Sequence, residues 1–330
     1  MRPLLLVYLL LGLLGCHAEQ DAAPPGGAPA KAKLPKVTLA LNWYPEAEHG
    51  GFYAALVNGY YKEAGLDVEI IPGGVGLPVV PRVATRKVTF GVANADRVLV
   101  GRAQQADVVA VFAPLQMSPR CIMVHERSGI RKFADLKNMT LALSNTATFA
   151  NYLRKKVPLE GVRIVPYGGN VSRFLLEDDF AQQGYVFSEP FNARKKGGDP
   201  HQLMVSELGY NPYTSLLVTS AENVEEHPAL VRKMVVATRR GWRTYLEDSS
   251  ETNEYIHSIN EEMDLDILAF GAETIKGLCI TEETPLDALG RMTLNRWTAL
   301  SEQLVEAEAV DAGVLEPADA FTTKFLESSE

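Results

Sequence analysis

Cysteine is scarce, with 3 residues in a chain of 330. Cys16 falls in the leader, so only Cys121 and Cys279 remain for the folded body. Two cysteines build neither a disulfide framework nor a metal site, and free buried thiols are expected rather than a pair. The 6 histidines are scattered, with none at metal-ligand spacing. The Gly-x-Ser-x-Gly elbow, the His-Glu-x-x-His helix and the P-loop are all missing. No catalytic residue, metal or cofactor is therefore expected. Basic charge is also short: the net charge is -9. That excludes nucleic acid as a partner, because phosphate binding needs basic surface. No segment of 20 to 50 residues recurs, which excludes a solenoid.

The N-terminus carries Arg2, the apolar run Pro3 to Leu14, then Leu13-Leu14-Gly15-Cys16. A basic residue, a short apolar stretch and a small residue before a cut describe a signal peptide. The stretch is shorter than the roughly 20 residues that span a bilayer. Cys directly after the small residue resembles a bacterial lipobox, with Leu14 a mild departure. The expectation is a signal peptide over 1–15, acylation of Cys16 and a flexible tether over 16–36. An ordinary leader with a chance cysteine is the alternative. The tether, rich in Ala, Pro, Gly and charge, buries too little surface to order itself. A lipid-anchored protein on the extracytoplasmic face of the cell envelope follows, touching membrane only through that anchor.

The body has 46% hydrophobic and 22% charged residues, ordinary for a folded chain of two domain lengths. Val37–Leu41, Leu66–Ile71, Lys87–Val92 and Val108–Ala113 read as strands, with helices over Gly50–Ala64 and Ala95–Gln104. Ile122–His125, Thr140–Leu143, Val162–Pro166, Gly184–Phe187 and Leu216–Thr219 read as further strands. Such alternation predicts an α/β fold of mostly parallel sheets. From Pro228 onward the pattern is helical. Val231, Met234, Val235, Thr238, Trp242 and Tyr245 form a stripe that reads as core. The expected domains are 37–119 with 220–330, and 120–219. Crossings near Met117–Arg120 and Tyr213–Thr219 would act as a hinge. Open α/β sheets bind ligands beyond the carboxyl ends of their strands, so two facing edges make a cleft.

The densest local signal is Leu41-Asn42-Trp43-Tyr44-Pro45-Glu46-Ala47-Glu48-His49-Gly50-Gly51, at the end of the first strand. Trp43 and Tyr44 can stack on a planar ligand, with Asn42 and Glu46 reading its edge. His49 is a further ligand-binding candidate; the alternatives are that Trp43 packs beneath the loop and that His49 merely caps the following helix. Gly50-Gly51 leaves backbone N–H groups open to close approach. Asn94 and Asp96 either contact ligand or cap a helix. Ser144, Tyr167 and Tyr213 stand on loops at cleft level. Glu189, after the strand ending at Phe187, can accept two hydrogen bonds from an aminopyrimidine edge.

The opening segment resembles the thiamine-pyrimidine-precursor-binding family of periplasmic solute-binding proteins of ABC transporters. Gly59-Tyr60-Tyr61-Lys62-Glu63-Ala64-Gly65-Leu66, Val88-Thr89-Phe90-Gly91-Val92, Asp135-Leu136-Lys137 and Pro228-Ala229-Leu230-Val231 extend the likeness over nearly the whole body. It implies a type II periplasmic binding protein-like fold, two α/β domains around a ligand cleft. It also implies an ABC permease as partner, a monomer, and a Glu in the place of Glu189 bonded to the pyrimidine. The ligand implied is a pyrimidine precursor of thiamine, with another planar heterocycle such as a flavin next. Sulfonate, nitrate and taurine binders share the later motifs, but the acidic Glu46-x-Glu48 does not suit an anion. One enzymatic branch builds a pyrimidine from its own histidine and a cysteine run. Here Arg97 stands at the histidine position and Asn211-Pro212-Tyr213-Thr214-Ser215 replaces the cysteines.

Overall fold

The computed structural model describes residues 34–74 and 76–326. The leader, Cys16 and most of the tether lie outside them. Ten strands are present among the described residues: β1 (Lys36–Ala40), β2 (Asp67–Ile71), β3 (Phe90–Ala93), β4 (Val109–Phe112), β5 (Arg120–His125), β6 (Thr140–Leu143), β7 (Arg163–Pro166), β8 (Phe180–Tyr185), β9 (Pro200–Met204) and β10 (Leu216–Thr219). They form two sheets, ordered β2-β1-β3-β10-β4 and β7-β6-β8-β5-β9. The central strands β3 and β10, and the edge strand β4, are buried at every position, which is why they read as unbroken apolar runs.

Each sheet is mixed rather than mostly parallel. β1 runs parallel to β2 and β3, and β6 runs parallel to β7 and β8. β10 is antiparallel to β3 and β4, and β5 is antiparallel to β8 and β9. The reversed strands, β5 and β10, are those that directly follow the two passages between sheets. A strand entering from the seam must run away from it, against strands whose carboxyl ends point there. The passages lie side by side: Leu115 pairs with Thr214 as an antiparallel bridge, and Ser118 N donates to Asn211 Oδ1 over 2.7 Å.

Several boundaries moved. The expected helix Gly50–Ala64 breaks into Gly50–Val57 and Tyr60–Glu63, because Gly59 adopts φ 74° between them. The strand expected at Gly184–Phe187 is Phe180–Tyr185, and the residues after it turn into the helix Glu189–Lys195. The strand Pro200–Met204 and the helix Val79–Ala84 have no clean sequence period and were not expected.

Pro228–Glu247 buries Val231, Met234, Val235, Thr238, Trp242 and Tyr245, as the stripe predicts. It packs on Gly50–Val57, and the glycines there serve this contact rather than a ligand. A Cβ at Gly50 would lie 2.1 Å from the Tyr245 ring, and one at Gly51 2.1 Å from the Trp242 ring. A Cβ at Gly241 would lie 2.3 Å from the Gly51 carbonyl oxygen. The helix Leu294–Glu306 touches both Ala95–Ala103 and Thr148–Lys156, the helices that follow β3 and β6. Cys121 and Cys279 are free and buried.

Candidate functional site

The carboxyl ends of β1 and β3 meet those of β6 and β8 across a seam lined by ionisable groups. From the first sheet, the turn after β1 delivers Asn42 to His49. Trp43 is partly buried and meets Tyr44 edge-on at 5.4 Å between centroids, while Tyr44 is 49% exposed. The Trp43 carbonyl accepts the Gly73 N–H over 3.0 Å. A Cβ at Gly73 would come within 2.3 Å of the Leu41 oxygen, so glycine holds this turn closed.

Behind the aromatics, Glu46, Glu48 and His49 are all buried. His49 Nδ1 accepts the Glu46 N–H at 3.4 Å, and Nε2–H donates to Asn42 Oδ1 at 2.9 Å. Burial lowers the imidazole to about 3, so it is neutral and its 3.3 Å approach to Glu48 is no ion pair. His49 therefore both caps the turn and orients Asn42. Glu48 accepts from Ser215 Oγ at 3.0 Å and from Asn42 Nδ2 at 3.3 Å. Burial raises its carboxyl to about 7, against the pull of Ser215, Arg120 and Asn42. Glu46 is also raised well above its usual value, first by burial and then by repulsion from Glu48 and Glu189.

The second sheet answers with Glu189, the first residue of its helix. Its Oε1 accepts the Tyr167 hydroxyl at 2.6 Å and its Oε2 the Tyr185 N–H at 2.7 Å. A Cβ at Gly184 would lie 3.1 Å from Glu189 Oε2, so the glycine gives this carboxylate its room. Burial, then Glu189, push the Tyr167 hydroxyl upward. Ser144 is anchored by its backbone, donating to Gln183 Oε1 at 2.6 Å.

Two expected site residues tie the halves together. Asn94 makes no capping bond; its Nδ2 donates to the Tyr185 hydroxyl at 3.2 Å and its Oδ1 accepts the Ser215 N–H at 3.1 Å. Asp96 is buried, accepting the Tyr210 hydroxyl at 3.2 Å and the Thr148 hydroxyl. At the rim, the rings of Phe191 and Phe270 stand 4.9 Å apart, and Lys195 bonds Asp264 at 2.7 Å and Asp266 at 2.9 Å.

Tyr213 belongs elsewhere. It is buried, accepts the Thr293 N–H at 3.0 Å, and lies under the Arg296 guanidinium at 3.7 Å. The sequence signal missed Arg120, Tyr185 and Ser215. Ser215 is the one with a backbone mark: it is buried at φ 55°, a conformation held by its bonds to Asn94 and Glu48. A separate concavity of about 470 Å³, lined by Gln116, Asn211, Thr284 and Arg296, lies beside the passages. Its guanidinium is already bonded to the Gln116 and Asn211 carbonyls, so the unbalanced charge of the seam marks the better site.

Residues 46–252 match the model of the NMT1/THI5-like family. The riboflavin-binding protein RibY of Chloroflexus aurantiacus is 24% identical over 339 residues, covering 97% of this chain and 96% of that one. The formylaminopyrimidine-binding protein of Halalkalibacterium halodurans is 22% identical, with 90% and 92% covered. A hydroxymethylpyrimidine phosphate synthase of Saccharomyces cerevisiae is 25% identical, over 67% of this chain and 70% of its own. Among solved structures, the aliphatic sulphonate-binding protein SsuA of Escherichia coli superposes with TM-score 0.64 at 14% identity, covering 89% of this chain and 94% of that one. The fold is that of periplasmic binding proteins, and with most of both sheets inside the matched segment the chain belongs to the NMT1/THI5-like family.

Proposed function

We propose that this protein is the solute-capturing component of an ABC importer, working outside the cytoplasm and taking a small planar heterocycle that bears N–H groups. The observation that carries the reading is the seam itself. The turn after β1 carries Trp43 and Tyr44 for stacking, and Glu189, whose charge reaches Glu46 and Glu48 of that turn, holds a carboxylate whose oxygens each retain a lone pair. Stacking plus oriented acceptors is the chemistry that selects a flat, amino-bearing ring. The relatives named for riboflavin and formylaminopyrimidine bind compounds of that kind, and a pyrimidine precursor of thiamine is the first candidate, a flavin the second. The two side-by-side passages between sheets would act as a hinge, and closure on ligand would present a changed surface to a permease. Cys16 acylation would hold the monomer at the membrane.

A sulfonate or nitrate fits the seam poorly. Glu189 and Asp96 already act on the Arg120 guanidinium, and the buried carboxyls of Glu46 and Glu48 stand close enough to Glu189 to feel its charge. The pyrimidine-building reaction lacks its parts as well: Arg97 is exposed where that branch has its histidine, and no cysteine occupies 211–215. Mass spectrometry of the small molecule that co-purifies with the body tests the reading. A stoichiometric heterocycle supports it; a stoichiometric alkanesulfonate overturns it.

A further inference from the structure

Arg120 opens β5, directly after the first passage between sheets, and is partly buried in the seam. Its guanidinium carbon lies 4.7 Å from the Phe149 ring centre and 4.1 Å from that of Tyr185. Aromatic faces stabilise the charge without accepting its N–H groups as an oxygen would. Among the described residues no oxygen bonds the guanidinium. Glu189 and Asp96 act on it only at longer range. The contrast with the other partly buried arginine at the passages is plain, since Arg296 bonds two backbone carbonyls. A desolvated guanidinium with five donors and no acceptor is costly unless something arrives to take them.

We propose that Arg120 is a ligand-contacting residue that binds a carbonyl oxygen of the solute, beside the N–H groups taken by the carboxylates. This rests on the reading of the seam as a heterocycle site and narrows it. The solute carries a carbonyl next to ring or amino N–H, as a pyrimidinedione or an N-acylaminopyrimidine does, and a bare aminopyrimidine is a lesser ligand. A full anion is disfavoured, since the carboxylates of Glu189 and Asp96 already act on this guanidinium. Phe149 and Tyr185 fix the guanidinium plane, so lysine, a point charge on a flexible stem, replaces it poorly.

The test is calorimetric titration of wild type, Arg120→Met and Arg120→Lys with three probes: riboflavin, an N-formylaminopyrimidine, and 4-amino-5-hydroxymethyl-2-methylpyrimidine, which lacks a carbonyl. Unchanged thermal unfolding of the lysine variant separates a binding loss from a folding loss. Arg120→Met should weaken the better carbonyl-bearing probe by about ten- to a hundredfold, the worth of one charge-assisted hydrogen bond. The carbonyl-free probe should change less than about threefold, and Arg120→Lys should fall between. Equal losses on all probes, or a wild type that prefers the carbonyl-free probe, overturn the role of Arg120 while leaving the seam as a heterocycle site. A wild type that binds none of the three removes the heterocycle reading and this inference together.

Discussion

The Tyr167 hydroxyl donates to Glu189 Oε1 over 2.6 Å, and this bond fixes the carboxylate at the carboxyl end of β8. The second oxygen is pinned by the Tyr185 N–H. A carboxylate held on both sides cannot swing away from a ligand, so its remaining lone pairs point one way. Glu189→Gln replaces one acceptor by a donor and leaves Tyr167 or the Tyr185 N–H facing an amide NH2. Affinity for an amino-bearing ligand should drop by about tenfold or more, from a charge-assisted bond of about 1.5–3 kcal/mol. Tyr167→Phe should cost less, since it frees the carboxylate without removing it. Titration of both variants with one aminopyrimidine checks the order.

The buried pair Glu48 and His49 predicts opposing pH effects. Glu48 is raised from 4.5 to about 7, so the folded state holds a proton that the unfolded state has lost. Its contribution is full below about pH 4.5 and vanishes as pH rises through about 7. His49 is lowered from 6.5 to about 3, so its contribution is present above about pH 6.5 and is lost as pH falls toward 3. Between those limits the two slopes oppose. Glu48→Gln keeps the neutral shape and removes one of them. Measured by urea unfolding, this variant should gain on wild type between pH 5 and pH 7.5, by roughly 1 kcal/mol or more. A gain independent of pH would contradict the assignment.

Packing of Pro228–Glu247 on Gly50–Val57 leaves no room for a methyl group at Gly51, whose added Cβ would fall 2.1 Å from the Trp242 ring. Gly51→Ala should destabilise by about 1–3 kcal/mol or more, the usual cost of overpacking a core. Thermal unfolding reads this. Gly277→Ala, with nothing near the added carbon, is the control.

The rim contacts bear on closure. Lys195 reaches Asp264 and Asp266 from the helix that starts at Glu189. An exposed ion pair is worth little and is screened by salt. Lys195→Ala should therefore weaken ligand affinity by less than about fivefold, with the difference fading at high ionic strength. Phe191→Ala, which removes the ring packed on Phe270, should cost more and show no such fading. Titrations at two salt concentrations separate them.

Lipidation rests on Leu13-Leu14-Gly15-Cys16. Cys16→Ser should release the protein from membranes of its native host. A variant that stays bound, with no acyl mass on the wild type, would contradict the anchor.

What the sequence made legible follows from local patterning. Thr140–Leu143 and Leu216–Thr219 are fully buried strands bounded by turn residues, and both fall where their apolar runs place them. The Asn42–His49 loop is readable because aromatics and carboxylates cluster just past a strand. Glu189 is readable for the same reason. The direction of β5 and β10 was not legible, because hydrophobic period carries no sign of strand sense. Nor was Arg120: a lone arginine after Pro119 looks like a solvated strand end, and only tertiary packing places it over Phe149 and Tyr185. The surroundings of Tyr213 were not legible either: it stands on a loop, as its Asn-Pro-Tyr context suggests, but Trp297 and Arg296 pack over it and bury it away from the seam.

The most direct measurement is calorimetric titration of the folded body with riboflavin, aminopyrimidines and taurine, repeated on Trp43→Ala and Glu189→Gln. An aromatic contact worth about 0.5–1.5 kcal/mol beyond its buried area, plus that area, makes Trp43→Ala weaker by roughly ten- to a thousandfold. Saturable one-to-one binding of at least one planar heterocycle is expected, weakened in both variants by these factors, with no binding of taurine. Saturable binding of taurine, or wild-type affinity for the heterocycle in both variants, would contradict it.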